Sequence, residues 1–144
     1  MSKRIGLVSC VKSKRESPAP ARDLYVSPLF RSFRSYAEEL CDDWFILSAK
    51  YGLLRPDEIV APYDKTLNRM RKPERLEWAS RVSGELLKVL PHQAHLVVLA
   101  SVRYRENLLH SLRRAGHTVE VPLEGLPLGK QLQTLRELGF GSVE

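Results

Sequence analysis

Cysteine is scarce in this chain of 144 residues: only Cys10 and Cys41 occur. Two are too few for a disulfide framework, neither lies in a Cys-x-x-Cys spacing, and both fit a reduced compartment. Long hydrophobic runs are missing as well. No stretch reaches the ~18 apolar residues of a membrane-spanning helix, so no membrane partner is expected. The opening Met1-Ser2-Lys3-Arg4-Ile5 leads straight into an apolar segment and does not have the layout of a signal peptide, which predicts a cytoplasmic protein. The histidines (His92, His95, His110, His117) lack metal-ligand spacing, so no metal and no cofactor are expected. Walker A and Gly-x-Gly-x-x-Gly patterns are absent, as are helix-turn-helix, zinc-finger and RNA-recognition signatures.

What is present suits one globular domain. The length matches a single domain over residues 1–144, and 43% hydrophobic residues suffice for one core. The net charge of +6 is compatible with nucleic acid or phosphorylated ligands. The cations gather at 12–15 (Lys12, Lys14, Arg15) and at 65–75 (Lys65, Arg69, Arg71, Lys72, Arg75), where they form either solvated loops or a phosphate-facing surface.

Apolar runs alternate with helical periodicity. Ile5 to Cys10, Trp44 to Ala49, His95 to Ser101 and Thr118 to Leu123 read as strands. Helices are predicted over 28–41, with Ser27 as N-cap and Pro28 in the first turn, then from Pro73 to about Leu90, over 103–115, and over 128–138. Residues 11–23 and 50–72 read as loops, and the second is long enough to be functional or partly structured. The alternation predicts an α/β domain: a mostly parallel four- or five-stranded sheet with helices on both faces, Rossmann-like and three-layered.

Open parallel sheets bind ligands beyond the carboxyl ends of their strands. Ser9, Ser48 and Ser101 close three of the predicted strands and offer hydroxyls there. Cys10 stands beside Lys12 and Lys14, whose charges favour a nucleophilic thiolate; a small buried Cys is the structural alternative. Cys41, next to Asp42 and Asp43, reads as inert. In Ser48-Ala49-Lys50-Tyr51-Gly52, the glycine permits a tight turn and close ligand approach. Tyr51 and Tyr63 can stack on a base. Asp57, Glu58 and Asp64 can accept from ring nitrogens or act as acid and base. Lys12, Lys14 and Lys50 suit phosphate. Arg103, Tyr104 and Arg105 open the helix after the third strand and are expected to line the same cleft. Glu124 and Gly125 lie in the turn after the fourth, ahead of Gly129-Lys130 at a helix start.

Leu47-Ser48, Tyr51-Gly52-Leu53-Leu54-Arg55-Pro56 and Pro62-Tyr63 resemble the YaaA family of peroxide-stress DNA-binding proteins. Ser9 and Lys12 are similar to that family's opening Ser-Pro-Ala-Lys, with Cys10 in place of the proline. Cys10 and Lys14 also resemble the Pro-Cys-x-x-x-Lys-Pro-Tyr pattern of the archaeosine synthase core domain, although Arg15 and Glu16 replace its Pro-Tyr. Over roughly residues 5–138 the chain resembles a small bacterial and phage family known only as a domain of unknown function. That resemblance rests on Ser9-Cys10, Leu24-Tyr25, Ser27 to Phe30, Ser48 to Leu54 and Pro122 to Leu126. Together these resemblances imply an association with nucleic acids or modified nucleobases.

Two functions are expected from the residues and the resemblances. In the first, the domain is an enzyme acting on a nucleobase or nucleotide, free or in nucleic acid, by N-glycosidic cleavage or base modification. Cys10, Glu58 and Asp64 are then its catalytic candidates. The alternative is a non-catalytic YaaA-like DNA- or RNA-binding protein or nucleotide-binding module. Both require the segments around Cys10, Lys50 and Gly125 to converge on one hollow.

Overall fold

The computed structural model describes residues 2–9 and 14–140. Cys10, the expected nucleophile, and Lys12, one of the lysines expected to meet phosphate, lie outside the described residues.

Four strands run parallel, as the alternation predicts. They are β1 (Arg4–Ser9), β3 (Asp43–Ser48), β6 (His95–Leu99) and β7 (Thr118–Glu120). A short fifth strand, β4 (Gly52–Leu54), turns back antiparallel on β3, and the sheet order is β4-β3-β1-β6-β7. Helix α2 (Pro28–Leu40) packs against β1, β3 and α6 (Leu128–Glu137), while α3 (Lys72–Val89) and α5 (Leu109–Arg114) pack together against β4 and β7. The architecture is the expected three-layer α/β fold.

Strand β1 is central because both its edges are paired and its residues from Ile5 to Ser9 are buried. Gly6 is what lets α2 lie close to it. A Cβ at this position would sit 3.1 Å from the Trp44 Cβ and 3.2 Å from the Ala37 Cβ, tighter than ordinary packing. The start of α2 follows the sequence rule, with the Phe30 N–H donating to the Ser27 Oγ at 3.1 Å and proline in the first turn.

Three local departures have identifiable causes. The helix expected over 103–115 is two pieces, α4 (Val102–Arg105) and α5, because the chain tightens at residues 106–108, where the Leu108 N–H donates to the Arg105 carbonyl. The fourth strand stops at Glu120, two residues before Pro122, whose ring nitrogen has no hydrogen to give a ladder. The two expected loops are zipped together. β2 (Ala19–Pro20) pairs antiparallel with β5 (Ile59–Val60), the short helix α1 (Ala21–Leu24) follows β2, and Arg22 N–H donates to the Pro56 carbonyl.

Candidate functional site

The strand register decides where the serines point. Ser9 lies opposite Leu47 in the β1–β3 ladder and Val8 opposite Ile46. Side chains alternate along a strand, so Ser9 shares the face of Leu47 and Ser48 shares the face of Ile46 and Gly6, the side covered by α2. Both serines stand at the carboxyl edge of the sheet, on opposite faces. The Ser9 Oγ accepts from the Ser101 N–H at 3.3 Å, which ties the ends of β1 and β6.

Ser48 anchors a chain of hydroxyls. Its Oγ accepts from the Tyr51 N–H at 3.0 Å, closing the β3–β4 turn, and donates to the Tyr63 hydroxyl at 2.9 Å. Tyr63 in turn shares a hydrogen bond of 2.8 Å with the Tyr25 hydroxyl. The Tyr63 ring stands edge-on to both Tyr25 and Tyr51, with the Tyr51 centroid 5.4 Å away. Tyr51 donates through its hydroxyl to the Ala61 carbonyl at 3.0 Å, so it is fixed at its backbone and at its hydroxyl.

Two lysines crown this cluster. The Lys14 ammonium lies 4.5 Å from the Tyr63 ring centroid and 5.9 Å from that of Tyr25, within cation–π range. Lys14 is placed by its bridge to Tyr25 and by the neighbouring Arg15 N–H, which donates to the Leu24 carbonyl at 2.8 Å. The Lys50 ammonium lies 5.3 Å from the Tyr51 centroid. Gly52 makes the turn possible: its φ is +75°, and a Cβ there would lie 2.8 Å from the Glu85 Oε1.

The remaining expected residues stand elsewhere. Glu58 is exposed, and its carboxylate accepts from the Arg55 N–H at 2.9 Å, capping its own turn. The Asp64 side chain is 91% exposed and lies 3.5 Å from Arg69. Ser101 is half-buried at the end of β6, and Arg103 is exposed and pairs with Glu106 at 3.5 Å. Glu124 and Gly125 are exposed in the turn after β7, Gly125 with φ +84°. Beside that turn is a crevice of about 10 Å³ between Ala100, Arg105, Leu123 and Gln131, room for one water. A larger hollow of about 210 Å³ lies beside Ala49, between α3 and the segment from Lys65 to Met70. Neither hollow is lined by Tyr25, Tyr51, Tyr63, Lys50 or Gly125, a departure from the expected convergence of these segments on one hollow.

Tyr25 and Trp78, missed at the level of sequence, complete the frame together with Tyr104, which was expected to line the cleft. Tyr25, 2% exposed, shares the hydroxyl hydrogen bond of Tyr63. Trp78, 5% exposed, donates its Nε1–H to the Ser48 carbonyl at 2.9 Å and fixes α3 to the end of β3. Tyr104 stands edge-on to Trp78, and its hydroxyl accepts from the Leu67 N–H at 3.4 Å, holding the 3-10 turn Leu67–Arg69 against α4. The signal available was chemical: a Tyr or Trp inside an apolar segment needs a polar partner when buried. Cys41 behaves as its neighbours imply. Burial pushes its thiol up to about 11, with Arg4 opposing and Asp42 and Glu120 adding to the rise.

The chain belongs to DUF6884, a family of unknown function, whose pattern it matches over residues 5–137. It is also similar to the uncharacterized protein YfjM of Bacillus subtilis (strain 168), with 41% identity over 71 residues, 44% of this chain and 47% of YfjM. The match thus spans about half the length of that curated relative.

Proposed function

We propose that this DUF6884 domain acts on a nucleobase, presented as a nucleotide or within nucleic acid, at the carboxyl edge of β3. The observation that carries the reading is the lysine-capped hydroxyl chain: Lys14 lies 4.5 Å over Tyr63, and Tyr63 is hydrogen-bonded to both Ser48 and Tyr25. An anionic ligand with an aromatic part matches this set. Lys14 and Lys50 face its phosphate, and Tyr51 offers a ring face to the base. Tyr63, half-buried, is the member of the chain that meets the base, while the buried Ser48 and Tyr25 hydroxyls bond to it and can pass a proton. The resemblance to nucleic-acid-associated families supports the same class of ligand.

The experiment is a turnover screen. Nucleosides, nucleotides and short oligonucleotides are incubated with the protein, and released or altered bases are read by mass spectrometry. Turnover by the parent that drops by about 10²-fold or more in Tyr63→Phe supports proton work by that hydroxyl. Equal turnover by parent and variant rules it out.

One observation favours the non-catalytic reading. Glu58 caps a turn and Asp64 reaches into solvent, so neither carboxylate touches the hydroxyl chain in its present arrangement. A domain that binds nucleotides and leaves every one of them intact would fit that alternative.

A further inference from the structure

The hollow beside Ala49 has no part in the reading above. Ala49 follows Ser48 in the β3–β4 turn that the Ser48 Oγ closes, so the hollow and the hydroxyl chain adjoin the same turn. Met70 and Trp78 give the hollow apolar surface, Lys65 and Arg81 stand at its rim as cations, and Glu74 and Glu77 as carboxylates. Its walls are fixed. Trp78 is bonded to the Ser48 carbonyl, the Arg75 guanidinium donates to the Met70 carbonyl, and the Tyr104 hydroxyl accepts from Leu67 N–H.

Exposed cations adjoin it along the chain. Lys65, Arg69, Arg71 and Lys72 are all exposed, against the single carboxylate of Asp64 in the same stretch. The Arg69–Asp64 pair is at 3.5 Å with both side chains largely in solvent, a weak contact that a phosphate can displace. The 3-10 turn carrying Arg69 packs on α4, which adds the exposed Arg103.

A free mononucleotide has one base and one phosphate group, which Tyr51, Lys14 and Lys50 already match. A second receptacle and further cations have a use only when the ligand continues. Glu74 and Glu77 repel a phosphate inside the hollow, whereas they accept from the amino groups of a base. The phosphates then follow the exposed cations outside.

Resting on the nucleobase reading, we infer that the ligand is a single strand of nucleic acid. One nucleotide occupies the tyrosine cluster, its neighbour sits in the hollow beside Ala49, and the backbone runs along Lys65, Arg69 and Lys72. Stacking and phosphate contacts of this kind bind single strands with strong salt dependence.

The test compares a mononucleotide with DNA and RNA oligonucleotides of about eight nucleotides, by fluorescence anisotropy or calorimetry over a salt series. The triple variant Lys65→Ala, Arg69→Ala, Lys72→Ala is set beside Arg113→Ala, Arg114→Ala, Arg136→Ala, which removes equal charge from exposed positions on α5 and α6. The expected result is oligonucleotide affinity at least about tenfold above that of the mononucleotide, from either or both polymers. The first variant should lose that gain, with the salt slope reduced by roughly 2, while the second keeps most of it. Equal affinity for both ligands, untouched by the first variant but lost in Tyr63→Ala, overturns the strand inference and leaves the nucleobase reading standing. Equal losses in both triple variants also overturn it, since general charge then explains the binding. Absence of binding to all three ligands overturns the inference together with the reading beneath it.

Discussion

The Ser48 hydroxyl donates to the Tyr63 hydroxyl at 2.9 Å while accepting from the Tyr51 N–H at 3.0 Å. One buried side chain therefore closes the β3–β4 turn and sets the orientation of a tyrosine on a different segment. Turn geometry and site geometry are the same interaction. A double-mutant cycle of Ser48→Ala and Tyr63→Phe on folding stability should give a coupling of about 0.5–1.5 kcal/mol. Additive losses would mean that the two hydroxyls do not hold one another.

Gly52 answers a backbone demand, since the Glu85 carboxylate beside it ends a flexible side chain. Gly52→Ala places a Cβ on a residue with φ +75° and 2.8 Å from the Glu85 Oε1. The expected destabilisation is about 1–3 kcal/mol. Gly129→Ala is its control: a Cβ there meets nothing within 4 Å, and the residue is in α6, so the change should be neutral or slightly stabilising. Denaturant midpoints of the two variants check the contrast.

Trp78→Phe keeps most of the apolar volume and removes the Nε1–H that bonds the Ser48 carbonyl. A loss of about 1–3 kcal/mol is expected from the unpaired buried carbonyl. Ligand affinity should fall with it, because the end of β3 is what the bond holds. A destabilised variant with unchanged affinity would confine Trp78 to the core.

The Cys41 thiol, with an ordinary value of 9.0, is pushed up to about 11 by burial. The protonated thiol is favoured in the folded state. Its contribution to stability is therefore complete below about 9 and lost as the pH rises towards 11. Between those values, wild type should lose stability faster than Cys41→Ala, read as the difference between their denaturation curves. The half-buried thiol should also react slowly with alkylating reagents at neutral pH.

Much of the fold was legible because the strands are continuous apolar runs and α2 announces itself by Ser27-Pro28 and its spacing. The antiparallel β4 was not, since three residues after a turn carry no periodicity of their own. The pairing of Ala19–Pro20 with Ile59–Val60 was equally hidden: two-residue strands have no pattern, and their register is set by the long-range contacts they make. Of the site, Ser48, Tyr51 and Lys50 come together at the end of β3, and Tyr63 and Lys14 join them through the Ser48 hydroxyl and the Lys14–Tyr25 bridge. Glu58 and Asp64 were singled out by residue type, and type alone does not say that Glu58 turns back to cap Arg55 N–H. Tyr25 was invisible as a partner because the bond that matters spans 38 residues.

The nucleotide proposed to bind where Lys14 and Tyr63 meet should stabilise the fold. Thermal unfolding is followed with bases, nucleosides and nucleotides for the parent protein and for Lys14→Ala. At about 100-fold over Kd, a bound nucleotide should add about 2.7 kcal/mol, raising the melting temperature by several degrees. The account predicts that rise with nucleotides, weaker effects with bases alone, and its disappearance in Lys14→Ala. An unchanged melting temperature across the panel, or a rise that Lys14→Ala fully retains, would contradict it.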